Sequence, residues 1–241
     1  MKAMILAAGL GTRMGKITET IPKVLTDING KSLLHHSVEK CATEGFDDII
    51  INIHHFADQV LEEIEKLRKL GFKITVSDER DMLLETAGGL YNARHFFGNE
   101  TFLLYNADII TDFPIRQMLA LHREKGGLAT LATRHREGKR FFLVDNEDLL
   151  KGWCNIATGE RIIACEEDVE LTPIAFSSIH IIEPAIFSYM TEGKYTMTAL
   201  YLQLAGEHQL NTMLYDEGYW FNVGTPEILD EAREFLKKAG K

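Results

Sequence analysis

Cysteine is scarce in this sequence. Cys41, Cys154 and Cys165 are three thiols in 241 residues, odd in number and without a CxxC spacing. That excludes a disulfide framework and a cysteine zinc site, and fits reduced thiols in a cytosolic protein. Long apolar runs are also missing: none approaches the ~20 residues of a membrane span. Only six apolar residues stand between Lys2 and Gly9, so no signal peptide is expected. The expectation is a soluble, cytoplasmic protein without a membrane partner. Positive charge is in short supply, with 26 Lys and Arg against 36 Asp and Glu and a net charge of −10. A nucleic-acid partner, which would need a basic face, is therefore not expected. Proline is low at 5, no Pro/Gly/Ser-rich stretch marks a linker, and no internal repeat is visible.

What is present is globular: 45% hydrophobic and 26% charged residues, enough for one large α/β domain or two small ones. Apolar strand-like runs alternate with helical patterns. Ala3 to Ala7, Phe46 to Ile53, Phe72 to Ser77 and Thr101 to Asp108 read as strands. Between them, helices are expected from the Ser32 N-cap to Thr43, from Asp58 to Leu70 and from Thr86 to Phe97, with another opening at Pro114. This βαβ alternation predicts a doubly wound, Rossmann-like α/β/α architecture with three layers and a mostly parallel mixed sheet. From Gly127 the texture changes to strand-like runs separated by turns, with helices returning at Thr196 to Ala205 and Pro226 to Lys238. One domain spanning residues 1–241 is expected, with halves meeting near 126 and 127.

The stretch LAAGLGTRMGKITETIPK, Leu6 to Lys23, follows the first strand directly. In an open parallel sheet that loop lies at the ligand edge. Gly9 and Gly11 permit close backbone approach, and their N–H groups, with those of Leu10 and Thr12, suit an anion nest. Arg13, Lys16 and Lys23 concentrate positive charge in an otherwise acidic chain. Arg13 can fork onto two phosphate oxygens and Lys23 can act as a mobile point charge. An ordinary glycine turn with surface cations is the competing reading. No GK[ST] closes the loop, so it is not a P-loop. Gly9, Gly11 and Gly15 give GxGxxxG, and Thr20–Ile21–Pro22 interrupts any helix there. No acid ends the second strand, which reads Asn52–Ile53–His54–His55. These features disfavour a dinucleotide-dependent oxidoreductase.

At these residues the chain resembles the sugar-1-phosphate nucleotidyltransferases, whose signature is LAAGxGTRM…T…PKxL. Further stretches agree in order: LLETAGGL (Leu83 to Leu90), LLYNADI (Leu103 to Ile109) and YWFNVGTPE (Tyr219 to Glu227). The length and the ETAGG form look closest to short bacterial N-acetylmuramate-1-phosphate uridylyltransferases, with mannose- and heptose-1-phosphate guanylyltransferases next. In the related cytidylyltransferases a shorter loop separates the arginine from the PK pair. The MGKITETI stretch here favours the sugar-1-phosphate branch.

The resemblance implies that an NTP and a sugar 1-phosphate yield an NDP-sugar and pyrophosphate with Mg²⁺ as cofactor. UTP with N-acetylmuramate 1-phosphate or a related hexose 1-phosphate is the expected pair. A GTP-dependent mannose or heptose enzyme is the alternative, and the assembly is a monomer or small homo-oligomer. The nucleotide is expected on the first half, at Ala7, Ala8, Gly9, Gly11, Thr12, Arg13, Lys23, Glu79, Thr86, Ala87 and Gly88. Arg13 is assigned to the leaving β,γ-phosphates, and Lys23 to the α-phosphate and the incoming sugar phosphate. Asp108, at the tip of a buried strand, is the Mg²⁺ ligand, with a turn cap before Pro114 as its competing reading. Thr86 to Gly88 are expected to present backbone groups to the base, or to cap a helix, or both. The sugar is expected on the second half, at Asn155, Ser177 and Ser178, with Asn106 reaching the sugar or the metal shell. Family members often carry glycine where Ser178 stands. The attacking phosphate is already an anion, so no general base or enzyme nucleophile is needed. The work is positioning and charge neutralisation.

Asn222 occupies the place of the family's second metal aspartate. It supplies a neutral oxygen without charge. Three readings stand: catalysis with weaker metal binding, substitution by a nearby acid such as Asp216 or Glu217, or a non-catalytic nucleotide-sugar binder. His35–His36 and His54–His55 are poor bidentate pairs, because adjacent residues point to different faces. Thr133 to Arg140 is a basic run that reads as a solvated loop, with guidance of an acidic sugar phosphate as the lesser reading. Trp153 and Trp220 are expected to pack at the edge of the second half.

Overall fold

The computed structural model describes residues 1–164 and 170–240, so Cys165 lies outside the described residues. The first strand, β1 (Lys2–Leu6), alternates Ala3 and Ile5 on one face with Met4 on the other. After a 3₁₀ stretch over Thr12–Glu19, a short hairpin, β2 (Asp27–Ile28) and β3 (Lys31–Ser32), leads into α1 (Leu33–Thr43). Ser32 caps α1 as expected, its hydroxyl accepting from His35 N at 3.0 Å. Next come β4 (Asp48–Ile53), α2 (Ala57–Lys69), β5 (Lys73–Asp78), α3 (Glu85–Asn92), β6 (Phe102–Asn106), β7 (Ile109–Thr111) and α4 (Ile115–Lys125). The helix expected from Thr86 to Phe97 is shorter: α3 ends at Asn92 and a separate 3₁₀ turn covers Arg94–Phe96.

The second half contributes β8 (Ala129–Arg134), β9 (Arg140–Val144), β10 (Leu150–Asn155), β11 (Glu160–Ile163) and β12 (Thr172–Ile182). It closes with α5 (Met197–Leu204), β13 (Leu210–Leu214), β14 (Trp220–Asn222) and α6 (Pro226–Lys238), which starts at its proline as the sequence predicts. Strands β11 and β13 were not foreseen. ERII is four residues long, and LNTML carries Asn211 and Thr212 in its centre.

The strands β5-β4-β1-β6 form a parallel core, and β12 joins it antiparallel to β6. Strand β12 then pairs with β8 along one part and β9 along another, extending the sheet through β10 and β11. Helices α1, α2 and α4 cover one face through residues such as Val38, Ile64 and Met118. Helices α3 and α5 cover the other through Leu90, Leu200 and Tyr201. A third cluster, Met14, Ile28, Ile110, Val223, Leu229 and Leu236, seats α6 against the β7–β14 ladder. Among the described residues no helix is long and apolar enough to cross a membrane.

Candidate active site

The carboxyl ends of β1, β4 and β6 lie side by side, because Leu6 pairs with Asn52 on one side and Asn106 on the other. There β1 gives way to the glycine loop. Ala7 N donates to Asn52 Oδ1 at 2.7 Å, and Asn52 Nδ2 donates to Glu79 Oε1 at 2.9 Å. The start of the loop is thus tied to two neighbouring strands. Gly11 takes a positive φ of 65°, and a Cβ there would stand 2.7 Å from Lys23 Cβ, so only glycine fits without strain. The Arg13 guanidinium lies against Gly224, where a Cβ would be 3.1 Å from Nη2.

Lys23 is buried and its Nζ donates to Asp108 Oδ2 at 2.5 Å. Asp108 sits on the turn between β6 and β7. Its backbone is fixed on both sides, by Ala107 N donating to Leu6 O at 3.1 Å and Val223 N donating to Asp108 O at 2.9 Å. Asn222 pairs with Ile109 across the β7–β14 ladder, which brings it beside Asp108. Asp108 Oδ1 and Asn222 Oδ1 are both buried and lack hydrogen-bond donors. Unmet oxygens of this kind suit a hard divalent cation. Among the described residues no group of three or more His, Cys, Asp or Glu converges, in keeping with a neutral Asn at the second position. Asp216 accepts from His135 N and Nδ1, both at 2.7 Å, and so is engaged away from Asp108.

A cavity of about 380 Å³ opens at this edge. Nine expected residues line it: Ala8, Gly9, Gly11, Thr12, Arg13, Lys23, Thr86, Asn106 and Asp108. Leu6, Leu10, Asn52, Leu83, Glu85 and Gly224 line it as well; of these, the sequence reading assigned only the Leu10 backbone a role, in the anion nest. Lys16 is exposed and outside the lining.

Several expected residues stand elsewhere. Ala87 and Gly88 do not offer free N–H groups, because both donate to Tyr195 O, at 3.0 and 3.3 Å. The segment before α5 crosses the start of α3 and takes those donors. Thr86 is not an N-cap either: it lies inside the first turn of α3, and its hydroxyl accepts from Met197 N at 2.8 Å. Glu79 is buried behind Asn52, outside the cavity lining, with Oε2 unpartnered; burial raises its pKa above the usual carboxylate range. Asn155 turns the β10–β11 hairpin, its Oδ1 accepting from Ala157 N at 3.1 Å. Ser177 and Ser178 fall where the β8–β12 register shifts; Ser178, one residue beyond the Ile179–Tyr105 pair, stands beside Asn106, with Ser177 one residue further on. Ser178 adopts a φ of 61° there, a conformation that glycine would hold without strain.

The sequence profile of the family described as Nucleotidyl transferase matches residues 2–239. The chain is 27% identical over 244 residues to an N-acetylmuramate alpha-1-phosphate uridylyltransferase from Caulobacter vibrioides, covering 98% of this chain and 97% of the relative. It is 30% identical over 210 residues to a UTP–glucose-1-phosphate uridylyltransferase from Synechocystis sp., covering 80% of this chain and 52% of that relative. HddC from Yersinia pseudotuberculosis, solved in complex with GMP-PN, superposes with a TM-score of 0.79 at 20% identity, covering 98% of this chain and 99% of that one.

Proposed function

The chain belongs to the nucleotidyl transferase family, and we propose that it joins the uridylyl group of UTP to N-acetylmuramate 1-phosphate or a related hexose 1-phosphate, releasing pyrophosphate. Sugar-1-phosphate nucleotidyl transfer is the activity its relatives and fold support. The single observation carrying the reading is the convergence of Arg13, Lys23 and Asp108 on one cavity at the strand ends. The uridylyl and muramate choices rest on similarity to the Caulobacter relative, which matches nearly end to end.

The first half takes the nucleotide. Loop N–H groups from Gly9 to Thr12 approach the triphosphate, and Arg13 neutralises the departing β,γ-phosphates. Lys23 faces the α-phosphate and the incoming sugar phosphate, its Nζ aimed by Asp108. An oxygen of the sugar phosphate attacks the α-phosphorus in line, and the bond to the bridging oxygen of pyrophosphate breaks. The attacking oxygen carries charge already, so no side chain has to remove a proton from it. Asp108 Oδ1 and Asn222 Oδ1 would hold Mg²⁺, which supplies charge neutralisation at the reacting phosphates. The second half shapes the acceptor side through Ser177 and Ser178, with Asn106 of the first half beside Ser178. A cytoplasmic enzyme fits this chemistry, since both substrates are soluble phosphates.

The test is a mass-spectrometric panel of the four common NTPs against sugar 1-phosphates with Mg²⁺. UDP-sugar and pyrophosphate are expected with UTP. A GDP-sugar instead would move the assignment to a guanylyltransferase. Nucleotide binding without any NDP-sugar would leave a non-catalytic binder.

A further inference from the structure

The basic run from the end of β8 to the start of β9 is largely exposed, yet two of its arginines lie on a fixed ring. Arg136 Cζ lies 4.9 Å and Arg134 Cζ 5.9 Å from the centre of the Trp220 ring. Arg136 is held by two backbone carbonyls, donating to Phe176 O at 3.3 Å and to Glu137 O at 3.1 Å. Trp220 is fixed in turn, its Nε1 donating to Ser177 O at 3.0 Å. Neither arginine forms an ion pair with a carboxylate among the described residues. The nearby acid, Asp216, is already engaged by His135. Two cations set on one ring, with no carboxylate in ion-pair contact among the described residues and with Asp216 acting on Arg134 only at longer range, form a site suited to an anion. Partial burial, and secondarily the Arg134 charge, lowers the Arg136 pKa.

The position relative to the reaction follows from the strand. Trp220 and Asn222 are alternate residues of β14, so their side chains share a face about 7 Å apart. One end of that face is the Asp108–Asn222 site and the other is the arginine pair, with the Ser177–Ser178 bulge alongside. A sugar phosphate whose phosphate sits at Asp108 and whose ring runs past Ser178 would bring a ring substituent to the guanidinium groups.

We infer that Arg134 and Arg136, stacked on Trp220, form a subsite for a second anionic group, a carboxylate, on the sugar 1-phosphate acceptor. This rests on the proposed transfer reaction. It assigns acceptor preference to residues outside the cation set that handles the triphosphate. The planar fork of Arg136 matches a carboxylate, and a neutral hydroxyl at the same place would leave both charges unmet.

The test compares N-acetylmuramate 1-phosphate with N-acetylglucosamine 1-phosphate, which has the same ring without the lactyl carboxylate. Binding of each to the full chain with Mg²⁺ is measured by calorimetry for the wild type, Arg136→Met, Arg136→Lys and Arg134→Met, with folding checked by thermal melts. The wild type is expected to favour the carboxylate ligand at least tenfold, and Arg136→Met to bring that ratio near one. Arg136→Lys should keep part of it. An unchanged ratio in Arg136→Met and Arg134→Met, or no preference in the wild type, would overturn the subsite. Pyrophosphate release is followed separately. Its absence for every pair, with the binding ratio intact, would defeat the transfer reaction and leave the subsite standing.

Discussion

Lys23 Nζ is bonded to Asp108 Oδ2 at 2.5 Å, so the cation assigned to the reacting phosphates and the carboxylate assigned to the metal already hold one another. The contact fixes a flexible lysine at the strand edge and leaves Asp108 Oδ1 buried without a donor. Two roles of opposite charge are thereby coupled in one pair.

Breaking that pair should cost both activity and stability. Lys23→Met is expected to lower turnover by about 10²–10³-fold, the range for loss of one charge-stabilising donor in a transition state. It should also lower unfolding free energy by about 3 kcal/mol, since it leaves a largely buried carboxylate unpaired. Pyrophosphate release and urea denaturation read the two effects. A variant with wild-type turnover would remove Lys23 from the mechanism.

The neutral second ligand predicts a weak metal site. Asn222→Asp should lower the Mg²⁺ concentration for half-maximal turnover about tenfold, equivalent to roughly 1.4 kcal/mol of added attraction. Asp108→Asn should abolish the Mg²⁺ response. Titration of pyrophosphate release with Mg²⁺ checks both, and an unaltered curve for Asn222→Asp would place the ion elsewhere.

Asn52 should matter although it carries no charge. In Asn52→Ala the Ala7 N–H loses its acceptor and Glu79 loses its donor, a cost of about 1–3 kcal/mol for an unmet buried group. The loop would also loosen, raising KM for the nucleotide. Chemical denaturation and steady-state kinetics with varied NTP measure the two consequences.

Two glycines should fail in different ways. Gly11→Ala forces a side chain into a left-handed conformation and against Lys23 Cβ, costing about 1–3 kcal/mol of stability. Gly224→Ala needs no unusual φ but crowds Arg13, so it should raise the nucleotide KM with little change in melting temperature. Equal melting losses in both would contradict the assignment of Gly224 to clearance for Arg13.

The acid limb of stability should carry His180 foremost, with His36 and His122 lowered by burial in the same direction. Burial depresses the His180 pKa to about 3, while an unfolded chain titrates near 6.5. As pH falls below about 6.5 the unfolded state gains a proton that the native state refuses, so stability drops by about 1.4 kcal/mol per pH unit toward pH 3. His180→Gln should flatten that slope by one proton in urea melts at stepped pH. Glu79 acts in the opposite sense. Its pKa is raised by burial, so its contribution is present below the ordinary carboxylate range and lost as pH rises through its folded value.

Local chemistry was readable from the chain. Ser32 caps α1, Pro226 opens α6, and the glycine loop with Arg13 and Lys23 sits at the strand edge as its residues imply. What escaped depends on partners distant in sequence. Asn52 gains its role only from the register of β4 beside β1, which no local pattern encodes. The N–H groups of Ala87 and Gly88 look available in ETAGG, yet Tyr195 from the second half takes them. Arg134 and Arg136 read as loop charges until β14 places Trp220 beneath them.

Strand β12 runs unbroken from Thr172 to Ile182, hydrogen-bonded to β6, β8 and β9. A clamshell closure of one half over the other would have to tear those ladders, so the scaffold has no hinge of the usual kind. The strand's one irregularity among the described residues is the register shift between Phe176 and His180, where Ser178 takes a positive φ. In such a frame, substrate capture is expected to fall to loops and side chains, with the spacing of the two halves little changed.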